Sequence, residues 1–345
     1  MTLKALATRT IERAPVPDPL TRVGIRALVA RASRGIAEFG ATAEAFAAGM
    51  TGAPIARHAD AANIQHYEVP SDFFGLVLGP QRKYSCCLYE ADAGTLAQAE
   101  ELALQRTAAN AGLADGQSIL ELGCGWGSLT LLMAQRYPRA HITAISNSRS
   151  QRAFIEGRAS TLGLTNVRVL TIDMNDLAQP GTFDRVVSIE MFEHMANWRE
   201  LLGRIASWLA PGGRLLVHVF AHRSHAYRFD DADADDWIAQ HFFTGGIMPS
   251  HRLMHQFADI LVVEREWQWS GTHYARTAND WLANLDCNEA AARRVLQPVY
   301  GADTSLWLRR WRLFFLATAG LFGHRDGTEW GVSQYMMRRP EGSVR

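Results

Sequence analysis

The sequence has no surplus of charge of either sign: 35 Lys and Arg stand against 35 Asp and Glu. Without a net field nothing draws the whole chain onto a phosphate backbone, and no nucleic-acid partner is expected. Cysteine is scarce. Cys86, Cys87, Cys124 and Cys287 are too few to scaffold 345 residues with disulfides, and no Cys-x-x-Cys pair occurs. A structural zinc site, or any other metal, is therefore not expected. Long apolar runs are missing too. The longest, 313–323, is about half the ~20 residues a membrane helix needs and reads as a buried helix. No signal-peptide core opens the chain. These absences lead to the expectation of a reduced, soluble, cytoplasmic protein. What is present, 48% hydrophobic and 20% charged residues, suits a globular chain and excludes a disordered or collagen-like one.

Texture divides the chain in three. Residues 1–62 are Ala-rich and read as a helical arm, made locally basic by Arg9, Arg13, Arg22, Arg26, Arg31 and Arg34. Such a run reads first as a solvated helix face. The sharper reading is a surface for anionic lipid, hence a peripheral membrane contact, or for a second copy in a homodimer. Residues 63–225 alternate short apolar runs with amphipathic stretches. A helix over 95–112 opens with a Thr95/Gln98 capping box and stops at Gly112. Strands follow at 118–123, 141–146, 167–173, 185–190 and 214–220, with helices at 128–137, 148–162 and 197–210, the last stopped by Pro211-Gly212-Gly213. Strands alternating with helices imply βαβ units and a doubly wound, mostly parallel sheet. Residues 226–345 change again. An acidic run at 230–236 precedes a stretch rich in Trp, His and Phe, with strands at 260–269 and 329–338 and two helices between them, at about 279–298 and 304–322. The two late strands complete a seven-stranded sheet and the helices form a lid.

At the end of the first strand stands Glu121-Leu-Gly-Cys-Gly-Trp-Gly127. Glycines let a backbone turn sharply and approach a ligand closely, and in a doubly wound sheet this loop lies at the switch point. The ligand follows from the spacing. A dinucleotide fingerprint is G-x-G-x-x-G with an acid ~20 residues on. Here the spacing is G-x-G-x-G, the second strand ends in Ser146-Asn147, and no Walker lysine is present, so NAD and ATP fit poorly. The pattern resembles motif I of class I S-adenosylmethionine (SAM) methyltransferases. That resemblance implies a Rossmann-like fold, SAM as cofactor, and adenine recognition by Asp173 and Met174. Asp184, which opens the fourth strand, reads as structural.

Five stretches carry a closer likeness: His66-Tyr67, Tyr84-Ser85-Cys86-Cys87, the loop itself, Met191-Phe192-Glu193-His194-Met195 and His241-Phe242-Phe243-Thr244-Gly245-Gly246. Together they are similar to the cyclopropane-fatty-acyl-phospholipid synthase superfamily, and within it to plant coclaurine-type N-methyltransferases, over residues 63–339. The resemblance implies a cofactor site made by Tyr84, Ser85, Glu121, Gly123, Gly125, Gly127, Ser146, Asn147, Gln151, Asp173, Met174 and Ile189. It casts Glu193 and His194 as the pair that positions and deprotonates an amine, with Glu190 assisting. The cyclopropane synthases instead hold a bicarbonate with a Cys, a Glu, a His and a Tyr, and Cys86, Glu193, His218 and Tyr274 fill those positions.

Two chemistries stay open: methyl transfer to the nitrogen of a small amine, or methylene transfer to an unsaturated phospholipid acyl chain in lipid biosynthesis. Glu190 favours the first, since the synthases usually carry Gly there. A non-catalytic SAM-binding protein is a third reading, against which the intact loop and the Glu193-His194 pair argue. Without the family, His218 on an apolar strand reads as a core histidine. His251 and His255, four apart, could share a helix face but lack the glutamate of H-E-x-x-H. Tyr84, Trp237, Phe242, Phe243 and Trp330 suit either a core or an aromatic or acyl ligand.

Overall fold

The computed structural model describes residues 12, 14, 16–57, 69–90, 93–229 and 236–342. Arg9, Arg13, His66, Tyr67 and all of the acidic run but Asp236 lie outside the described residues. The first helices are α1 (Asp18–Phe39), α2 (Ala43–Ala48), α3 (Ser71–Val77) and α4 (Leu96–Asn110). α4 starts where its cap is best: Thr95 Oγ1 accepts from the Gln98 N–H while the Gln98 side chain accepts from the Thr95 N–H. There follow β1 (Ser118–Leu122), α5 (Ser128–Arg136), β2 (His141–Ser146), α6 (Arg149–Thr161), β3 (Val167–Thr171), β4 (Phe183–Ile189), a 3-10 turn (Phe192–His194), α7 (Trp198–Trp208) and β5 (Leu209–His222). The last third holds a small ribbon of β6 (Tyr227–Arg228) and β7 (Ile247–Met248) around α8 (Trp237–His241). Then come β8 (Val262–Ser270), α9 (Gly271–Cys287), α10 (Glu289–Tyr300), α11 (Thr304–Phe322) and β9 (Trp330–Arg338).

Seven strands form one sheet in the order β3-β2-β1-β4-β5-β9-β8. β1 to β5 run parallel, and β9 lies antiparallel to both β5 and β8. The order reverses between β1 and β4, so a crevice opens beyond their carboxyl ends. The glycine loop leaves β1 there, and residues 190–194 leave β4 beside it. Asp184 has the structural role read from the sequence: its Oδ2 accepts from the Ser118 N–H and ties β4 to β1.

Two elements differ from expectation. β5 is longer than 214–220, because the chain rejoins the sheet at Leu209, paired with Phe183. Pro211-Gly212-Gly213 makes a bulge rather than a break, with Gly212 at φ +75°. The helix expected at 279–298 is two. Asn288 ends α9, and its side chain donates to the Leu76 and Asn284 carbonyls, anchoring the corner to α3. The two helices share one periodicity, so the apolar pattern alone joins them.

The basic arm does not stand free. α1 buries Thr21, Val29 and Ser33 and lies on α11 of its own chain. A Cβ on Gly320 would meet Ile25 at 2.4 Å, so glycine permits the close approach. Arg312 bridges Asp18 and Asp286, and Arg22 donates to Asn279 Oδ1. Arg26, Arg31 and Arg34 remain exposed. Among the described residues no helix is long and apolar enough to cross a membrane.

Candidate active site

The glycine loop is a tight left-handed path. Gly123, Gly125 and Gly127 take φ of +80°, +52° and +79°, a region costly for side chains with a Cβ. Gly123 also packs so closely that a Cβ would sit 2.8 Å from Met191. A Cβ on Gly125 would meet nothing within 4 Å. Gly125 therefore faces open space in the crevice, and Gly127 caps α5. One cavity occupies this crevice and continues under the lid. Its floor includes Glu121, Gly123, Gly125, Ser146, Asn147 and Gln151. Ile172, Asp173, Met174 and Ile189 form one side, and Tyr84 and Ser85 another. Ser146 Oγ donates to Gln151 Oε1, so the end of β2 holds the first turn of α6. Asp173 Oδ1 accepts from the Asn175 N–H. Glu121 is buried against the Thr130 hydroxyl, which donates to it at 2.5 Å. Burial pushes its carboxyl up to about 8 despite that bond.

Beyond the loop two glutamates three residues apart meet opposite environments. Glu190 takes φ +47° at the end of β4, and its N–H donates to the His218 carbonyl. Its carboxylate accepts from the Cys86 N–H at 2.9 Å and from the Tyr274 hydroxyl at 2.7 Å, and His218 Nε2 lies 3.4 Å away. Burial works against its ionisation, but the His218 contact, Lys83 and the Cys86 N–H outweigh it and hold the carboxyl below the usual range. Glu193 is also fully buried, 0% exposed, yet neither of its oxygens has a hydrogen-bond partner. Burial, then the charge of Glu190, pushes it well above the carboxylate range. His194 lies against Phe243, ring centres 4.5 Å apart.

Fifteen of the eighteen residues expected at the site line this cavity. The other three stand one step behind its wall. Gly127 caps a helix, the Cys86 side chain turns away to the Cys87 carbonyl, and His218 backs onto Glu190. Cys86, His218 and Tyr274 thus converge on Glu190, not on Glu193. Of the five aromatics singled out, Tyr84 and Phe243 line the cavity. Phe242, stacked on Phe314, and Trp330, which donates to the Tyr227 hydroxyl, belong to the core, and half-buried Trp237 packs against it and donates to Glu12. The aromatic wall of the cavity is instead Phe220, Phe229, Phe314, Phe322 and Trp281, with Phe243. His251 and His255 share no helix face, since the chain there is a turn and a 3-10 helix. They bond separately to Ser333 and Glu266.

Sequence reasoning also missed a polar layer behind the site. Lys83 is 2% exposed and its Nζ donates to Ser85 Oγ and the Cys86 carbonyl, both at 2.6 Å, fixing the 84–86 loop. Gln334 is buried on β9, where a glutamine in a mostly apolar strand was the available signal.

Glycines held at positive φ, opening on a crevice at the switch point with an acid beyond β3, suit SAM. This fold and site define a class I SAM-dependent methyltransferase. The sequence profile of the family described as mycolic acid cyclopropane synthetase matches residues 56–327, and the chain belongs to that family. It is 37% identical over 290 residues to (S)-coclaurine N-methyltransferase of Thalictrum flavum subsp. glaucum, covering 83% of this chain and 80% of that protein. It is 29% identical over 271 residues to cyclopropane-fatty-acyl-phospholipid synthase of Escherichia coli (strain K12), 78% of this chain and 66% of that protein. Among solved structures, coclaurine N-methyltransferase bound to N-methylheliamine and SAH superposes with a TM-score of 0.90 at 32% identity, over 96% of this chain and 98% of that one.

Proposed function

We propose that this methyltransferase carries the SAM methyl group to the nitrogen of a small amine bearing an aromatic ring. The observation behind the reading is Glu193: a buried carboxyl, without a partner, facing a cavity walled by phenylalanines. A buried polar group left unbonded costs free energy until a ligand supplies the bond. An amine N–H complements it, and an alkene carries no such donor.

SAM, when bound, supplies a methyl on a sulfonium, and the loop residues Glu121, Gly123 and Gly125 with Ser146, Asn147, Gln151, Asp173 and Met174 would hold it. Two carboxyls of opposed proton affinity then divide the work. Glu190, kept anionic by the His218 contact, Lys83 and the Cys86 N–H, is a fixed charge. Glu193 accepts the ammonium proton, freeing the nitrogen lone pair. His194, braced on Phe243, orients the amine with it. The ring of the acceptor lies among Phe220, Phe243 and Phe322, where burial and edge contacts hold it.

Cyclopropanation is the weaker reading on the same geometry. The Cys86, His218 and Tyr274 positions that it assigns to a bicarbonate are turned on the Glu190 carboxylate, so we do not assign a bicarbonate. The test offers SAM with a panel of aromatic amines and, in parallel, vesicles of unsaturated phospholipid. Mass spectrometry should find methylated amine, at a rate that rises with pH as the amine loses its proton. Cyclopropane lipid with no amine methylated would overturn the reading.

A further inference from the structure

Glu190 stands at the end of a line of buried polar contacts that begins at α4: two hydrogen bonds lead to His218, whose Nε2 then lies 3.4 Å from Glu190 as a contact without a hydrogen bond. Asn110 Nδ2, at the end of α4, donates to Gln334 Oε1 at 2.6 Å. That bond turns the Gln334 amide so that its NH2 faces His218 Nδ1, 2.8 Å away. Gln334 and His218 are direct cross-strand partners of β9 and β5, so the register of the sheet sets the contact. A neutral imidazole that accepts on Nδ1 carries its proton on Nε2. Nε2 is the nitrogen 3.4 Å from Glu190 Oε1. All of Gln334 and His218 is buried, so the pair has no water to exchange these roles with.

We propose that Gln334, oriented by Asn110, is a positioning residue for the transfer: it holds His218 as the Nε2–H tautomer and so keeps Glu190 an uncompensated anion beside Glu193. The consequence is electrostatic. An imidazolium at His218 would cancel the Glu190 charge and weaken Glu193 as a base, and the Gln334 NH2 occupies the one lone pair a second proton could take. The other groups facing this pair leave the argument unchanged. Lys83, Cys86 and Cys87 approach from the 83–87 loop, Tyr274 from α9 and Glu193 from the 3-10 turn. Lys83 is engaged with Ser85 and the Cys86 carbonyl, and Tyr274 donates to Glu190 whatever His218 does. Burial lowers the proton affinity of His218 in the same direction as Gln334.

What Glu193 does in this inference rests on the amine reading above; the tautomer does not. The first measurement is therefore made on the protein alone. Nitrogen-15 NMR of the His218 ring should show a neutral imidazole with its proton on Nε2 across neutral pH. A proton on Nδ1, or an imidazolium, overturns the proposal even if amines are methylated. The correct tautomer with no amine methylated overturns only the acceptor reading. The second measurement is Gln334→Glu, whose carboxylate at Nδ1 should make His218 an imidazolium. The acid limb of the pH dependence of kcat/KM then moves down by ~1 unit or more, with SAM affinity unchanged. Asn110→Ala, at the half-buried edge, frees the Gln334 amide to turn and should move the limb the same way by less, without a threat to folding. An unmoved limb in both variants overturns the proposal.

Discussion

The two ends of the cavity are built differently. At the cofactor end the glycine loop between β1 and α5 is one continuous stretch whose conformation rests on three glycines and on short-range bonds such as Gly127 N–H to the Cys124 carbonyl, and residues at the ends of β2 and β3 close around it. At the other end of the cavity Glu193, Phe220, Phe243, Tyr274 and Phe322 come from five separate segments and meet only when the lid folds over the sheet. A local cradle uses backbone geometry, which any core of this fold can reproduce. An assembled wall uses side-chain shape, which lid substitutions can change without touching the cradle. Cofactor and acceptor specificity are therefore separable here, and the separation can be tested.

The largest effect should come from the loop. Gly125→Val places a branched side chain in the open space over the cradle and forces a left-handed φ that costs a residue with a Cβ roughly 1–2 kcal/mol. SAM binding measured by calorimetry should be lost while the fold, followed by circular dichroism, is kept. Gly123 is the poorer probe because Met191 already crowds it. Retained affinity in Gly125→Val would show that the cradle lies elsewhere. At the acceptor end Glu193→Gln should reverse the pattern, with SAM affinity unchanged and kcat lower by about 10²-fold or more if general-base action is lost. His194→Ala should lower kcat too, and the double variant should lose less than the product of the two. A collapse of SAM affinity in Glu193→Gln would merge the two ends into one site.

The same contrast explains what was legible in the sequence. The glycine loop, the capping box of α4 and the parallel strands are local signals, and the strands of the core fall within two residues of their expected bounds, β5 apart. Asp184 was readable because a polar residue opening a buried strand must find a partner. The lid was not readable in detail. Nothing in the periodicity separates α9 from α10, since the break depends on a side-chain bond from Asn288 to a carbonyl in another helix. Nor does composition say which aromatics face the cavity: Phe242 and Phe243 are neighbours in sequence, and one stacks in the core while the other faces His194. The position of Glu190 among Cys86, His218 and Tyr274 was hidden for the same reason. These residues lie 56 or more apart in sequence from one another, save the pair Glu190 and His218 at 28, and only the tertiary fold sorts which carboxylate they serve.

A middle-sized effect tests the wall. Phe243→Ala removes the ring that braces His194 and contacts Phe220 and Phe229. Acceptor KM should rise by about tenfold, on the scale of a lost aromatic contact with its buried area, while SAM affinity stays within error. An unchanged KM, measured with an aromatic amine that the enzyme methylates, would place the acceptor elsewhere.

The smallest effect compares a carboxyl at each end. Glu121 and Glu193 are both buried and both pushed upward, but Glu121 has the Thr130 hydroxyl as a partner and Glu193 has none. Glu121 is therefore satisfied by the fold, and its titration should register in stability. Its proton affinity is higher folded, at about 8, than unfolded. Between the unfolded value and about 8 the native protein holds the extra proton, so this contribution to stability is complete at low pH and is lost as pH rises through about 8. One proton sets an upper limit of about 1.4 kcal/mol per pH unit on the slope. Urea midpoints of the ligand-free protein and of Glu121→Gln, measured below and above that range, should draw together or cross in favour of the variant as pH rises, because glutamine has nothing to ionise. A constant difference between the two would show that Glu121 ionises in the folded protein as it does in water, and that the cofactor end is wetter than its burial indicates.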